Sequence, residues 1–517
     1  MLRKQGEADA KTGQGDCGRV PARRFASAPT INMDRSSLIL FGHELGDRSV
    51  RVCLKSDNQE YAYRESQMNT SFKSAAAFIA VGAVGLAPTA LNAASFQILE
   101  QSPARLGTAF AGTASIADDA STVFFNPAGM ARLDGRQISA AGHLILVESK
   151  FTNTGSTAAT GGPLPGKDGK TDKPGFVPNF YYVQPLAERW WFGLGINAPY
   201  GLASDYDSDW VGRYHATESE LSVISINPTL AYAVNDQLSL GFGLSYQRAE
   251  TTLRNQVDSF NTCIAAGGSG AYCMGLHGGS GNQASDSSAK VEGNDSDIVA
   301  DLSIHWLPLP QTRIGLTWRQ GANFTLEGDA SFTPSSSCAA DPFCSGTLQV
   351  LGGSVEADVE LPDTITLSAS HQLNEHWQLH GDVAWTEWST IQEVNIVNIS
   401  NGVSVTTLDL NYDDTMRYAV GASFTPDNAW TWRFGVAVDE APQTDKQYVS
   451  PRIPDADRVW VSTGFNFAFS PDASVDVGYA HLFIDDTRID SVQQGNQLAG
   501  QFKANVNIIG VQGNWRF

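Results

Sequence analysis

Four cysteines, three histidines and two Gly-x-Gly runs are the residues whose types and spacing invite chemistry in this 517-residue chain. Cys263/Cys273 and Cys338/Cys344 form two local pairs in Gly/Ser-rich stretches. In an exported chain such close pairs read as disulfides, and of the three possible connectivities the two local ones are favoured. A four-cysteine metal site wants a C-x₂₋₄-C spacing, which neither pair has. His371, His376 and His380 cluster, and His376 to His380 has the spacing of a helical metal pair. They fall in a strand pattern, however, where residues i and i+4 stand about 13 Å apart and cannot share an ion. Gly193-Leu194-Gly195 and Gly241-Phe242-Gly243 lie mid-strand with no helix behind them to cradle a phosphate, and read as strand glycines packing beside aromatics. The acidic run Ser204–Trp210 (SDYDSDW) has Ca²⁺-ligand chemistry but reads first as a solvated loop. No enzyme motif stands out, so the expectation is a non-enzyme without cofactor or metal.

The elements that must position these residues follow from charge and patterning. A formal net charge of −21 argues against a nucleic-acid partner. Met68 to Ala93 (MNTSFKSAAAFIAVGAVGLAPTALNA) reads as an export signal, with Lys73 in the charged region, Ala75–Leu86 as apolar core and Ala93 at the cut. Residues 1–67 are then expected to be a mis-called N-terminal extension, with the true start at Met68. Downstream no run of 18 apolar residues exists, so a membrane-spanning helix is not expected.

From Gln137 onward one pattern repeats: an alternating segment, a short polar turn, a second alternating segment. The turns fall near Leu186–Arg189, Val234–Gln237, Leu307–Arg313, Leu373–His376, Thr425–Asn428 and Ser470–Ala473. Six hairpins, with Gln137–Phe151 in front and Asn505–Phe517 behind, make fourteen strands, an even number as a closed bacterial barrel needs. Long segments alternate with the short turns, and Trp190, Trp191, Trp377, Trp430 and Trp432 cluster near the turns, as an interfacial girdle would. Ala94–Leu133 is too rich in Ala, Gly and Ser to make its own core and reads as a plug. The final strand ends in Phe517, a barrel-assembly signal in form. The predicted organisation is an all-β, fourteen-stranded antiparallel transmembrane barrel (137–517) with a partly helical N-terminal hatch (94–136) in its lumen.

The order of short motifs resembles the FadL family of outer-membrane transporters for long-chain fatty acids and related hydrophobic compounds. The resemblance runs through Ala94-Ser95-Phe96-Gln97, Ile116-Ala117-Asp118-Asp119-Ala120, Asn126-Pro127-Ala128, Tyr200-Gly201-Leu202-Ala203, Trp385-Thr386-Glu387-Trp388-Ser389, Ile453–Arg458 and Asp472–Gly478. It implies a ligand pocket reached by Phe96. It also implies lateral release through an inward kink of the third strand at Tyr200-Gly201-Leu202, touching the hatch at Asn126-Pro127-Ala128. A basic pair for a ligand carboxylate would be expected. One member falls at Leu253-Arg254, with Arg254 the candidate, whereas the segment expected to hold the other, Thr406–Asp414, contains no base.

The expected function is passive uptake of long-chain fatty acids or related hydrophobic compounds across the outer membrane of a Gram-negative bacterium. The missing base brings in neutral aromatic or aliphatic hydrocarbons as the alternative ligand. A general porin, an outer-membrane lipid hydrolase and a structural barrel are the rivals of other kinds. Expected partners are the hydrophobic ligand, outer-membrane lipid and lipopolysaccharide, and the barrel-insertion machinery, with the barrel acting as a monomer.

Overall fold

The computed structural model describes residues 95–517 except 428 and 444, together with the backbone of 31–33, 36–40 and 52–54. Those three short strands pair antiparallel with one another in a separate N-terminal unit. The expected export signal at 68–93 lies outside the described residues, as does nearly all of the expected extension.

The second unit is a closed antiparallel barrel of fourteen strands. They are β1 (Gln137–Asn153), β2 (Gly175–Ala187), β3 (Trp190–Asp205), β4 (Glu218–Ala233), β5 (Leu238–Val257) and β6 (Ser287–Leu309). Four interrupted strands follow: β7 (Thr312–Arg319 with Asn323–Thr333), β8 (Gly353–Glu360 with Thr364–Gln372), β9 (Trp377–Thr386 with Glu393–Asn398) and β10 (Ser404–Asp409 with Thr415–Phe424). β11 (Trp430–Asp439), β12 (Arg458–Ser470), β13 (Ala473–Ile484 with Thr487–Gln493) and β14 (Asn496–Arg516) complete the circle, and β14 pairs with β1 from Gly500↔Asn153 to Arg516↔Gln137. Closure leaves no edge, which lipid requires because it offers backbone groups no partner.

All six polar turns of the sequence connect strands. The long connections are shorter than the alternation suggested, because the strands run on past the apolar band. β6 has 23 residues, roughly 75 Å of chain at 3.3 Å per residue, against an apolar band about 25 Å tall. The loops beyond it carry helices that alternation does not reveal: Ser259–Ala265, Gly270–His277, Ser336–Ala340 and Pro342–Leu351. At the short-turn end, Trp190, Trp306, Trp377, Trp432 and Trp515 are exposed on the outer wall, where an interfacial girdle belongs.

The hatch fills the lumen with two short helices, α1 (Pro103–Leu106) and α2 (Thr122–Phe125), and a 3₁₀ turn over Pro127–Arg132. Leu106 and Phe110 pack on Trp460, Leu482 and Ile508 of the wall. Val123 and Met130 pack on Tyr181 and Val183. Each such side chain contributes about 1.5–3 kcal/mol when fully buried. Polar ties add direction: Asp382 of β9 accepts from the backbone N–H of Thr113 (3.0 Å) and from its hydroxyl (2.6 Å). The strand glycines serve this contact. In β5 Gly241 and Gly243 face the lumen while Leu240, Phe242 and Leu244 face out. They do not pack beside the aromatics of their own strand: Gly241 makes room for the hatch at Pro127-Ala128, and Gly243 for the side chains of Asp301 and Asn227. At Gly315 of β7 any Cβ would stand inside the Ala114 carbonyl.

This close approach predicts that Gly315→Val lifts the hatch from the wall, at a cost of about 1–3 kcal/mol. The variant should melt below the native protein and open a larger ion conductance in planar bilayers. Gly381→Ala, where nothing lies within 4 Å of the added methyl, should change neither.

Candidate functional site

Above the hatch the inward side chains of β4–β8 become apolar. Leu221, Leu253, Val291, Leu326 and Val359 surround a cavity, together with Ile391, Val394, Ile396 and Leu410 from β9, β10 and their connections. The space enclosed, part of it open to solvent, is about 900 Å³. Strand parity selects these residues. Along β5 the odd positions point in and the even ones out, so Leu253 lines the cavity while Arg254 points away from it. Arg254 is about half exposed and pairs with Glu218 at 2.9 Å. The carboxylate anchor expected at Arg254 is therefore not brought to the cavity by this geometry.

Phe96 forms the floor. Its ring packs edge-on against Trp388 (centroids 5.0 Å apart) and tilted against Tyr200 (6.0 Å), and it is buried. Below it lies a second cavity, lined by Ile98, Leu99, Phe110, Phe124, Phe125 and Tyr200 and reached by Arg319 and Arg417. The segment 96–99 is the partition between the two.

That partition is held by the third strand. Between Asn197 and Tyr200 β3 carries one residue more than β4: Asn197 opposes Ser225, and Tyr200 opposes Val223. Pro199 sits in this bulge, where its missing N–H costs no ladder bond. The bulged backbone turns to the hatch. Ile98 N–H donates to Pro199 O (2.9 Å) and Gly201 N–H to Phe96 O (3.0 Å). On its other side β3 leaves its neighbour: pairing with β2 ends at Phe180↔Ile196, whereas pairing with β4 continues to Asp205↔Glu218. The wall thus has a gap between the upper parts of β2 and β3. Hatch backbone lines it, with Asn179 donating to Glu100 O (3.0 Å) and Gln101 donating to Ala198 O (2.8 Å).

Tyr200, Gly201 and Leu202 are accordingly at a kink beside the hatch, but the kink meets Phe96–Ile98 and not Asn126-Pro127-Ala128. The latter motif sits against β5 and β6: Asn126 donates to Ile304 O (3.0 Å), Ala128 N–H to Ser303 Oγ (3.0 Å), and Ser239 Oγ to Ala128 O (2.8 Å). The small residues Ser239 and Gly241 of β5 leave the space that receives it.

A family model for outer membrane protein transport proteins (OMPP1/FadL/TodX) matches residues 84–517. The chain belongs to this family. Among its relatives, outer membrane protein P1 of Haemophilus influenzae is 29% identical over 430 residues, covering 77% of this chain and 87% of the relative. The long-chain fatty acid transport protein of Escherichia coli is 28% identical over 415 residues, covering 77% and 89%. A FadL homologue from Pseudomonas aeruginosa has the same fold, at a TM-score of 0.76 and 24% identity over 82% of this chain and all of that one. The toluene transporter TodX of P. putida superimposes at 0.59 with 17% identity, over 81% of this chain and 99% of its own. The chain is thus an outer-membrane transport protein with relatives that are transporters.

Membership places the remaining candidates in the transporter's anatomy. Cys263–Cys273 and Cys338–Cys344 are joined in adjacent outer loops. His277, between Ser337 Oγ (3.1 Å) and Asp341 (3.0 Å), ties those loops to each other away from the cavity. Phe517 is exposed on the outer wall, and its backbone exchanges two hydrogen bonds with Arg136, at 3.1 and 2.9 Å. Sequence reasoning passed over Arg452, the one cation among the described residues that lines the upper cavity. It stands directly before the Ile453–Arg458 motif, in a loop with no periodicity to give its direction. It is buried, and burial pushes its guanidinium down to about 10.

Parity predicts opposite behaviour for neighbouring residues. Leu253→Asp should weaken binding of an uncharged apolar fluorophore at least tenfold, because the carboxylate must be desolvated in an apolar wall. Arg254→Ala should leave that affinity within about twofold. Fluorescence titration of the refolded variants checks both.

Proposed function

We propose that this protein takes up long-chain fatty acids or related hydrophobic compounds by binding them in the upper cavity and releasing them sideways through the gap between β2 and β3. The observation that carries the reading is that one segment, Phe96–Ile98, is both the floor of the cavity and the backbone partner of the bulge beside the gap. Movement of that segment opens the cavity downward and frees the bulged strand in one step. No energy-coupling element is needed, because the gradient is chemical. A ligand leaving the cavity for the bilayer keeps roughly 0.8 kcal/mol per CH₂ out of water, and a lateral route never exposes it to the periplasm.

The names of the relatives support the ligand class: fatty acids for the E. coli protein and toluene for the P. putida one. A general porin suits the structure less well, since the hatch occupies the lumen from Leu106 to Met130 with buried side chains. Outer-membrane lipid accounts for the exposed band Leu240, Phe242, Leu244 and Tyr246. Lipopolysaccharide then meets the charged outward residues above that band, Arg248, Glu250 and Arg254. Phe517 is the residue the insertion machinery would read.

Deleting Pro199 removes the extra residue and lets β3 keep its register with β4. The variant should bind oleate as tightly as the native protein yet lose at least tenfold in uptake rate when it is the cell's only such transporter. Undiminished uptake would exclude release at this gap. A porin would instead show uptake of small sugars by the native protein, independent of Pro199.

A further inference from the structure

Four side chains of β7 point inward between Arg313 and Arg319, and three of them are engaged with the hatch. Gly315 lies against Ala114 O, Thr317 donates to Phe125 O (2.9 Å), and Arg319 donates to Phe124 O. The fourth, Arg313, is nearest the short-turn, periplasmic end. Its guanidinium makes no hydrogen bond and no ion pair among the described residues.

A second guanidinium reaches the same level from the hatch. The 3₁₀ turn Pro127–Arg132 sits on Ser239 and Ser303 of β5 and β6. From its end Arg132 extends to the β4–β5 turn, where Nη1 donates to Asp236 O (2.6 Å). Its Nε and Nη2 are buried with no partner. The Asp236 side chain is exposed and forms no ion pair with it. Burial, and then the charge of Arg313, push the Arg132 guanidinium below its ordinary value, so the two cations lie within each other's field. His305 feels both charges and stands one inward step above them, opposite Ser239 and Gly315. Its Nε2 faces Ser115 O (3.0 Å) and therefore carries the proton, because a carbonyl only accepts. In the neutral ring Nδ1 is then an acceptor, and it is buried without a partner.

Two like charges, one on the hatch and one on the wall, thus meet with no carboxylate between them. Other lumen arginines have one: Arg105 has Asp119, and Arg433 has Asp476. A tetrahedral oxyanion presents oxygens in several directions and can accept from two guanidiniums at once, in charge-assisted hydrogen bonds. Hydrogen phosphate adds an O–H, which His305 Nδ1 can accept. Sulfate and a phosphodiester present acceptors only and leave that nitrogen unsatisfied.

We propose that Arg132, Arg313 and His305 form a binding site for inorganic phosphate or a phosphate monoester at the periplasmic end of the lumen, and that the bound anion fastens the last turn of the hatch to β7. The site lies on the periplasmic side of Thr317 and Arg319, which line the lower cavity. It takes a ligand of different chemistry from the hydrophobic one and does not rest on the uptake reading.

The test uses the full barrel with its hatch in a phosphate-free, non-ionic detergent. Phosphate, glycerol 3-phosphate and sulfate are titrated at constant ionic strength and followed by calorimetry and thermal unfolding. Phosphate should bind saturably and raise the melting temperature, with sulfate at least about fivefold weaker. Arg132→Gln and Arg313→Gln should each weaken phosphate at least about tenfold. Arg313 has no protein contact to lose, so its variant keeps the fold. Arg189→Gln, an exposed arginine at the β2–β3 turn, should leave the affinity within about twofold. Amide exchange over 127–132 should slow with phosphate in the native protein and not in Arg313→Gln. Either order of phosphate and glycerol 3-phosphate supports the site and names the source of the anion. Absence of saturable binding, or unchanged binding in both arginine variants, would overturn the proposal. Equal binding of sulfate and phosphate would overturn the ligand class, and binding without slower exchange would overturn the fastening role.

Discussion

Two backbone hydrogen bonds, Ile98 to Pro199 and Gly201 to Phe96, carry the constraint on which the rest of the structure depends. A barrel wall in lipid must satisfy every amide and carbonyl, and a strand that leaves its neighbour breaks that rule. β3 leaves β2 above Ile196 and survives because the hatch offers itself as a substitute strand. The polar side chains Asn179 and Gln101 cover what the substitute strand does not reach. A gap in the wall is thus possible only with the hatch in place, and the hatch stays in place partly because the gap needs it.

The same arrangement explains why the hatch is anchored so unevenly. Its body is fixed by apolar packing and by polar ties: Arg105 to Asp119 within it, and Arg417 to Ala109 O and Asp382 to Thr113 from the wall. Its leading segment is fixed by two backbone bonds, two part-buried side-chain bonds (Ser95 with Tyr412 and Gln97 to Thr364) and the packing of Phe96 on Trp388 and Tyr200. Net hydrogen bonds contribute about 1 kcal/mol each. On the proposed reading, this difference makes the leader the part that shifts and the body the part that stays. That is what a gate needs, since the plug must stay seated while a few residues shift.

Much of this was legible in the sequence. The six polar turns between alternating segments fix strand number and order, because turn chemistry is local and period-two patterning survives in both environments. What alternation cannot show is direction. Arg254 and Leu253 are adjacent and look equally eligible for a pocket; parity, set by distant pairings such as Lys290↔Arg254, puts one in and the other out. Nor does it show where a strand ends once both of its faces have lost their lipid. The upper parts of β6–β10 read as loop for that reason. Arg452 had no local signal beyond two flanking prolines, and its place follows from the fold of a whole loop onto β4 and β5. The Asn126-Pro127-Ala128 motif was visible as a rigid turn, but its partner was not, because small residues such as Ser239 and Gly241 announce space and not what fills it.

The reading of strand ends has a deeper cause, and it bears on function. Along β5 the outward residues run Leu240, Phe242, Leu244, Tyr246 and then Arg248, Glu250, Thr252, Arg254, while the inward ones run Ser239, Gly241, Gly243, Ser245, Gln247 and then Ala249, Thr251, Leu253. The polarity of the two faces exchanges near Gln247. β6 does the same, from Trp306, Ile304, Leu302 and Ile298 outside to Asn294 and Glu292, and from His305, Ser303 and Asp301 inside, past Asp297 and Asp295 at the crossover, to Val291 and Ala289. In the membrane the barrel is a wall with a polar interior packed on the hatch. Above the membrane it is inverted, with water outside and an apolar chamber inside. A hydrophobic molecule arriving from water therefore meets its first dry surface in that chamber, and its second, the bilayer, on the other side of the same strands one level down. The gap in β3 lies at the level where the inversion occurs, between Ile196 and Tyr200. A lateral opening there joins the two apolar regions by the shortest path, and an opening higher or lower on the wall would lead from one of them into something wet.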